Sequence, residues 1–536
     1  MVMKDWSHLF IVLMVATGFC STAHADEWNS GNYKPDNRSI KIGETNLPIV
    51  FIDTRSGGSS TKIIHKDYRI AARMKIINNA DGIQYDDTLA HPGQEVDYEG
   101  WIAIRYRGNS SFNLSDKKPY SIKTMETSDP NGEKQKVALL GMAKDNDWVM
   151  LAPYADRSMI RDVLMFELAR PYFEYTPTAK HCELILDGTY YGVYILSERA
   201  CKSKHRLDLD MPGDSGDELT GGYQLTIDRN DEYPIYVSKH ATQDQNGQDY
   251  WWYNEVYFQY KHPEFDEMIP SHPSQLTYIQ RQIDAMEDAL ASDDFQDTET
   301  GYPHYIDVTN FIDQQLSQEV SHNVDGYRLS TNIYKRRDSV DPRFKTTLWD
   351  FNIAFGNANY YNAERTDTWM FENNRYMDYG DANKVPFWWK RLMKDPAYVK
   401  AMKNRWGEYR QGNYSNKHIT QLIDSLVDRL EAKGARERNF KAWPRWNRDI
   451  WPVPNWHIVN TYAKEINALR QWITRRLKWM DKQLEFDPTG TLEPTTEFAH
   501  EVAGIYDLQG IPLSRPRKGV ILVRYKDGTS RKVVIR

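Results

Sequence analysis

His322-Asn323-Val324-Asp325-Gly326-Tyr327-Arg328-Leu329-Ser330-Thr331-Asn332-Ile333-Tyr334-Lys335, a polar turn, and then Leu348-Trp349-Asp350-Phe351-Asn352-Ile353-Ala354-Phe355-Gly356-Asn357 form the most informative stretch of this 536-residue chain. An acidic residue, an amide seven positions on, and a second acidic residue at the end of the next strand recur where phosphoryl groups are transferred. One carboxylate there orients the attacking hydroxyl, while the amide and the other carboxylate hold magnesium against phosphate. Hard oxygen ligands suit that ion. The pattern makes Asp325 the candidate base and Asn332 and Asp350 the candidate metal ligands. By itself the same spacing also fits a helix C-cap, a turn and a strand end.

Outward from this stretch the chain divides by pattern. From residue 45 to 230 strands dominate: Pro48 to Ile52 is a short apolar run, Trp101 to Tyr106 and Tyr120 to Lys123 alternate, and His181 to Leu186 and Tyr190 to Leu196 bracket Asp187-Gly188. That two-residue turn would set Cys182 opposite Val193. Cys201 then falls beyond the partner strand, so two separate thiols are expected rather than a disulfide. Asp156 is a candidate N-cap for a helix carrying Ile160, Leu164 and Leu168. From 231 to 485 helices dominate. One starts at Pro273-Ser274 with Leu276, Ile279, Ile283, Met286 and Leu290 on one side, and a second starts near Asp307. Trp388 to Leu484 reads as helical, ending in a long segment from His457. The fold class expected is α+β, a strand-rich lobe followed by a helix-rich lobe. Residues 486–499, with Pro488 and Pro494, read as a linker, and 500–536 as a small β module with a hairpin at Asp527-Gly528.

The first 25 residues read as a signal peptide. Leu9 to Ala16 is too short an apolar run to span a bilayer, and Ala23-His24-Ala25 offers a cleavage site before Asp26. Phe19 before Cys20 argues against lipid attachment. No later segment has the length and apolarity of a transmembrane helix. An exported protein, in the periplasm, at the cell surface or outside the cell, is expected. The net charge of −7, with no basic footprint outside the last forty residues, gives no sign of a nucleic-acid partner. Oligomeric state is not legible.

Several segments, in order, resemble the spore-coat-protein-H (CotH) kinase family. They are Arg107-Gly108-Asn109-Ser110-Ser111; Lys117 to Lys123; Leu140-Gly141 through Asp147-Trp148-Val149-Met150-Leu151 to Arg161; Tyr191 to Tyr194 with Glu198; Gly221-Gly222-Tyr223; Asn323 to Arg328; and Trp349 to Asn357. Together they span most of the chain after residue 45. The resemblance implies a two-lobed, atypical protein-kinase-like fold that binds ATP with Mg2+ or Mn2+. Its partner would be an exported protein carrying the Ser or Thr acceptor. On that model Arg107, Gly108, Asn109 and Ser110 lie over the phosphates, although no Walker Gly-Lys-Ser/Thr follows. Lys123 is the first candidate for a phosphate-binding lysine and Lys118 the next, because Lys123 faces away from Tyr120 and Ile122. Glu198 and Arg161 are secondary candidates for contacts to a lysine, nucleotide or phosphate. One departure stands out: Asn352 occupies a place where the family commonly has Asp. The C-terminal module resembles sorting or anchoring modules of exported proteins in Bacteroidetes-like bacteria; a strand pair capping the main body is the alternative.

Two other functional classes fit parts of the sequence. Export places the chain where ATP is scarce, as a non-catalytic surface protein on a kinase-like scaffold would tolerate. A secreted glycan hydrolase would use Asp325 and Asp350 as its two carboxylates, with Trp451 to Trp456 and Trp251-Trp252-Tyr253 stacking on sugar rings.

Overall fold

The computed structural model describes residues 37, 39–55, 57–230, 235–240, 256–378, 380–455, 458–487, 502–507, 512–513, 519–525 and 530–535. The chain divides into two compact units, one ending at Glu485 and the other beginning at Phe486. The signal-peptide segment, Trp251 to Tyr253, Trp456 and most of the linker lie outside the described residues.

In the first unit β1 (Glu44–Thr45) pairs with β4 (Gln84–Tyr85). Seven further strands close a barrel: β2 (Ile49–Asp53), β3 (Ile70–Ile77), β5 (Val96–Tyr106), β6 (Tyr120–Met125), β7 (Asp147–Leu151), β9 (Thr189–Glu198) and β8 (Ala179–Leu186), in that order. β8 returns to β2 as a parallel neighbour, which seals the sheet and leaves no open edge. Alternation along the strands sends Ile102, Ile104, Ile122, Trp148, Met150, Leu184 and Leu196 into one buried core.

The β8–β9 hairpin departs from its expected register. Leu186 pairs with Thr189 and Ile185 with Tyr190, but Leu184 pairs with Gly192, so Cys182 faces Tyr194 rather than Val193. Tyr191 is the extra residue of a bulge, and Gly192 takes the left-handed backbone (φ +95°) that such a bulge favours. A Cβ there would come within 2.5 Å of Asn439 Oδ1. That oxygen accepts from Val193 N at 3.0 Å and Lys117 Nζ at 2.8 Å, docking the Ala435–Ala442 helix on the barrel. Cys182 and Cys201 are both free thiols.

A second, antiparallel sheet has the order β11 (Ile235–Val237), β12 (Tyr257–His262), β10 (Tyr223–Ile227), β13 (Thr331–Lys335) and β14 (Phe344–Thr347). β10 lies within the 45–230 range read from sequence as the strand-rich lobe, yet it joins this sheet instead of the barrel. Helices accompany the sheet as their apolar spacing predicts: Pro273–Ala291 buries Ile279, Ile283, Met286 and Leu290, and Val308–Ser321 starts where the Asp307 carboxylate accepts Asn310 N at 3.0 Å.

Two helix boundaries differ from expectation. Asp156 is not the N-cap; the helix is Arg161–Ala169, capped at Ile160. The Asp156 carboxylate instead folds a preceding turn, accepting from Ser158 N at 2.9 Å, Ser158 Oγ at 2.6 Å and Arg161 N at 3.0 Å. The reading of Trp388 to Leu484 as helical is interrupted: helices Pro396–Gln411, Asn416–Glu431 and Ala435–Ala442 are followed by an irregular crossing. Pro444, Pro452 and Pro454 supply no N–H there. The last helix, Tyr462–Gln483, starts five residues after His457, where Thr461 Oγ1 caps Lys464 N.

Glu287, on the Pro273–Ala291 helix, is a buried carboxyl that accepts from Ser238 Oγ at 2.6 Å and Trp388 Nε1 at 2.8 Å. Burial pushes its pKa up to about 7. The unfolded chain therefore ionises this group first, and the folded state holds the extra proton between about pH 4.5 and 7. Stability from the neutral carboxyl is full below that window and is lost as pH rises through it, at up to about 1.4 kcal/mol per pH unit. Glu287→Gln keeps an acceptor for Trp388 and is expected to flatten this slope, measured as melting temperature against pH from 4 to 8.

The second unit is a four-stranded antiparallel sheet, β16 (Pro512–Leu513), β15 (Val502–Tyr506), β17 (Gly519–Tyr525) and β18 (Ser530–Ile535). β17 and β18 pair from Gly519–Ile535 to Arg524–Ser530. The Asp527-Gly528 turn lies outside the described residues.

Candidate active site

A cavity of about 1120 Å³ opens among the barrel, the second sheet and the loops that follow the Val308–Ser321 helix and β14. It gathers seven of the sequence-derived candidates: Arg107, Gly108, Asn109 and Ser110 from the barrel side, Asn332 from the sheet, and Asp325 and Asp350 from the loops.

The Asp325 loop leaves its helix through His322, whose left-handed backbone (φ +45°) ends the helix. Arg328 Nη2 donates to Asp325 Oδ1 at 3.2 Å and the Tyr360 hydroxyl to the same oxygen at 3.3 Å. Asp350 has φ +64°, unusual for a residue other than glycine, and is partly open to the cavity. Burial raises its pKa to about 6; the Asp325 charge adds to the rise, and Arg107 opposes it. Asn323 ties the two loops together: its Oδ1 accepts Asp325 N at 3.2 Å and its Nδ2 donates to the Asp350 carbonyl at 3.0 Å.

Arg161 and Asp162, at the start of their helix, hold the turn after Asp350. Asp162 Oδ1 accepts Phe351 N at 2.7 Å and Arg161 Nε donates to the Ala354 carbonyl at 3.1 Å. Arg161 is buried and ion-paired with Asp156 at 2.5 Å and Glu465 at 2.9 Å. It supports the site through the Ala354 carbonyl and is not itself among the cavity-lining residues. Removing one partner of such a buried pair costs about 3–5 kcal/mol.

The other candidates differ from their expected places. Lys118 Nζ donates to the Phe112 carbonyl and lies 4.5 Å from that ring's centroid, bracing the Ser110–Asn113 turn from beneath. Lys123 pairs in β6 with Asp147 of β7, whose charge partly offsets the lowering of the lysine pKa by burial. Glu198 Oε2 accepts Thr178 N at 2.9 Å, beneath the barrel's end. None of the three lines the cavity. Alternation puts Lys123 on the same face of β6 as Ser121, which does line the cavity, but two residues farther along the strand, beside Asp147. Lys66, which precedes β3 and sits 5.0 Å over the same Phe112 ring, does line it, as do Arg199, Arg229 and Lys261.

Asn332 lines the cavity, but its Oδ1 accepts from Thr226 Oγ1 at 2.9 Å and Gln224 Nε2 at 3.2 Å, so both lone pairs are engaged within the sheet. That weakens its expected role as a metal ligand. Five carboxylates outside the sequence pattern also line the cavity: Asp228 and Asp162, and with them Asp67, Asp378 and Asp381. Asp228, at the end of β10, accepts Arg229 N at 2.9 Å and Ser330 N at 3.1 Å, and its charge adds to the raised pKa of Asp350. Asn352 Nδ2 donates to Asp350 Oδ1 at 3.1 Å. An Asp at that place would add like charge.

Arg107 lies 5.5 Å over the ring of Trp349, the residue before Asp350. Burial pulls its pKa down and the Asp350 charge pulls it back. Gly108 has φ +85°, and a Cβ there would meet Ser111 Oγ at 2.1 Å, so the turn requires glycine. Among the described residues no three His, Cys, Asp or Glu side chains are gathered tightly enough to hold a metal alone. Mg2+ characteristically takes one or two carboxylates and completes its shell with water and phosphate. Asp350, whose pKa is raised in part by the charges of Asp325 and Asp228, fits that demand.

A family model described as CotH kinase protein matches residues 104–480. The chain belongs to the CotH kinase family. No curated protein matches it. The match begins within β5, three residues before Arg107, and ends inside the Tyr462–Gln483 helix, so it takes in every loop that contributes Asp325, Asp350 and Arg107. A kinase-like protein of this family is consistent with the mixed α+β architecture. No helix among the described residues is long and apolar enough to cross a membrane.

Proposed function

We propose that this CotH kinase family member is exported and moves the γ-phosphate of ATP to a Ser or Thr hydroxyl of another exported protein. The observation that carries the reading is the linking of Asp325 and Asp350 through Asn323 at one cavity, with Arg107 over the ring of Trp349, next to Asp350 in the chain. On this reading the barrel and the helix-backed sheet are the two lobes of an atypical kinase fold. Asp325, held at one oxygen by Arg328 and Tyr360, orients the acceptor hydroxyl and takes its proton. Asp350 would hold Mg2+ or Mn2+, with Asp228 as an alternative second oxygen donor to Asn332, whose own oxygen is engaged in the sheet. The bound ion would neutralise charge on the phosphates. Arg107, the Gly108–Ser110 turn and Lys66 face the anionic end of the nucleotide. The N-terminal 25 residues direct export, and the C-terminal sheet sorts or anchors the protein.

A glycan-hydrolase reading draws on Trp451, which is half exposed at the cavity and stacked on Tyr360 at 5.3 Å. A neutral sugar, however, gives no use for Arg107, Arg199, Arg229 and Lys66 in the same cavity.

The test is a thermal-shift titration of the mature protein with ATP, with and without Mg2+. A ligand that binds only the native state stabilises it by about 2.7 kcal/mol at 100 times its Kd. A shift that needs both components is expected. Its absence would leave a non-catalytic scaffold. In the same assay Asn352→Asp, which adds a carboxylate beside Asp350, is expected to lower the Mg2+ concentration for half-maximal shift by roughly three- to tenfold.

A further inference from the structure

We infer that Tyr327, held by Glu319, is a positioning residue that aims Asp325; the inference rests on the phosphoryl-transfer reading of the site. The segment after the Val308–Ser321 helix is tightly wound. Gly326 N donates to the Asn323 carbonyl at 2.9 Å and Leu329 N to the Asp325 carbonyl at 2.9 Å. His322, Tyr327 and Ser330 have φ of +45°, +70° and +49°, a left-handed backbone that side chains other than glycine adopt at a cost. Such a turn keeps its shape only if its surroundings hold it. Asn323 holds one end through the Asp350 carbonyl and Asp228 holds the other through Ser330 N.

The middle is held by Tyr327, fully buried against Trp389 at a ring distance of 4.7 Å. Its hydroxyl donates to Glu319 Oε1 at 2.9 Å and lies 3.2 Å from the Gln315 carbonyl. Glu319 is itself immobilised. Oε1 also accepts Phe371 N at 2.9 Å, and Oε2 accepts Met370 N at 2.8 Å and Arg476 Nη2 at 3.0 Å. Arg476 Nε adds a bond to the Glu319 carbonyl at 2.7 Å, and neither side chain of this pair is exposed. The buried ion pair thus anchors the hydroxyl of a residue two places from Asp325 and one from Arg328, which grips the Asp325 carboxylate. No atom of Tyr327 or Glu319 lines the cavity, so their influence on chemistry runs through the loop.

Tyr327→Phe removes one hydroxyl and leaves Glu319 with its remaining donors, so the fold is retained. The expected result is a fall in kcat of about tenfold to a hundredfold, with KM for ATP and for the acceptor within about twofold of the parent. Hydrogen exchange of the 323–330 amides is expected to quicken while exchange in the barrel strands stays unchanged. Unchanged kcat with unchanged exchange would overturn the inference, as would loss of ATP affinity in step with loss of melting temperature. A parent protein that transfers no phosphate would refute the kinase reading, and the exchange measurement would still decide whether Tyr327 holds the loop.

Discussion

Asp325→Asn is expected to bind ATP and Mg2+ as the parent does and to transfer phosphate roughly 10²- to 10⁴-fold more slowly, the usual range for loss of a positioned general base. The substitution keeps an oxygen acceptor for Arg328 and Tyr360, whose bonds of 3.2 and 3.3 Å share Oδ1. The loop geometry therefore survives, and the change falls on the proton acceptor. Measured by transfer of labelled γ-phosphate under saturating nucleotide, the effect belongs to kcat. An unaltered rate would remove Asp325 from the chemistry.

Asp350→Ala is expected to act earlier, by abolishing the Mg2+-dependent part of the nucleotide-induced thermal shift together with transfer. The apo protein should not suffer in proportion. Asp350 is a partly buried acid with a pKa raised to about 6, surrounded by the charges of Asp325 and Asp228. In the absence of a cation its ionised form is disfavoured, so removing it relieves repulsion as well as losing the bond from Asn352. The combination of a lost ligand shift and a little-changed apo melting temperature separates a cation-holding role from a structural one. A shift with Mg2+ that matches the parent's would end the assignment.

The elements legible in sequence were those whose signals are local. Pro273 with its apolar spacing gave one helix, and Asp307 with Asn310 another, because cap and period act over a few residues. Asp325 and Asp350 were legible as a pair since both fall in one short stretch, in the loops just after the Val308–Ser321 helix and β14. Lys66, Asp162 and Asp228 were not. Each reaches the cavity from a different part of the chain: Lys66 from the segment before β3, Asp162 from the Arg161–Ala169 helix, and Asp228 from the end of β10, which crosses into the second sheet. Arg161 shows the same limit in reverse: its charge suggested phosphate, but Glu465, some 300 residues away, consumes it. Lys123 misled because alternation tells which face of a strand a residue occupies and not how far along that face the cavity reaches, and Lys118, which precedes β6, because the Phe112 carbonyl takes its ammonium. The bulge at Tyr191 was invisible for a related reason, as the helix residue Asn439 that makes use of it lies far along the chain.

Asn323 gives the site an economy of a different kind. One carboxamide, by touching Asp325 N with one end and the Asp350 carbonyl with the other, latches two loops to each other. Moving one loop away from the other breaks one of these two bonds, at about 0.5–1.5 kcal/mol, so the backbones that carry the cation-holding and the proton-accepting acid favour travelling together.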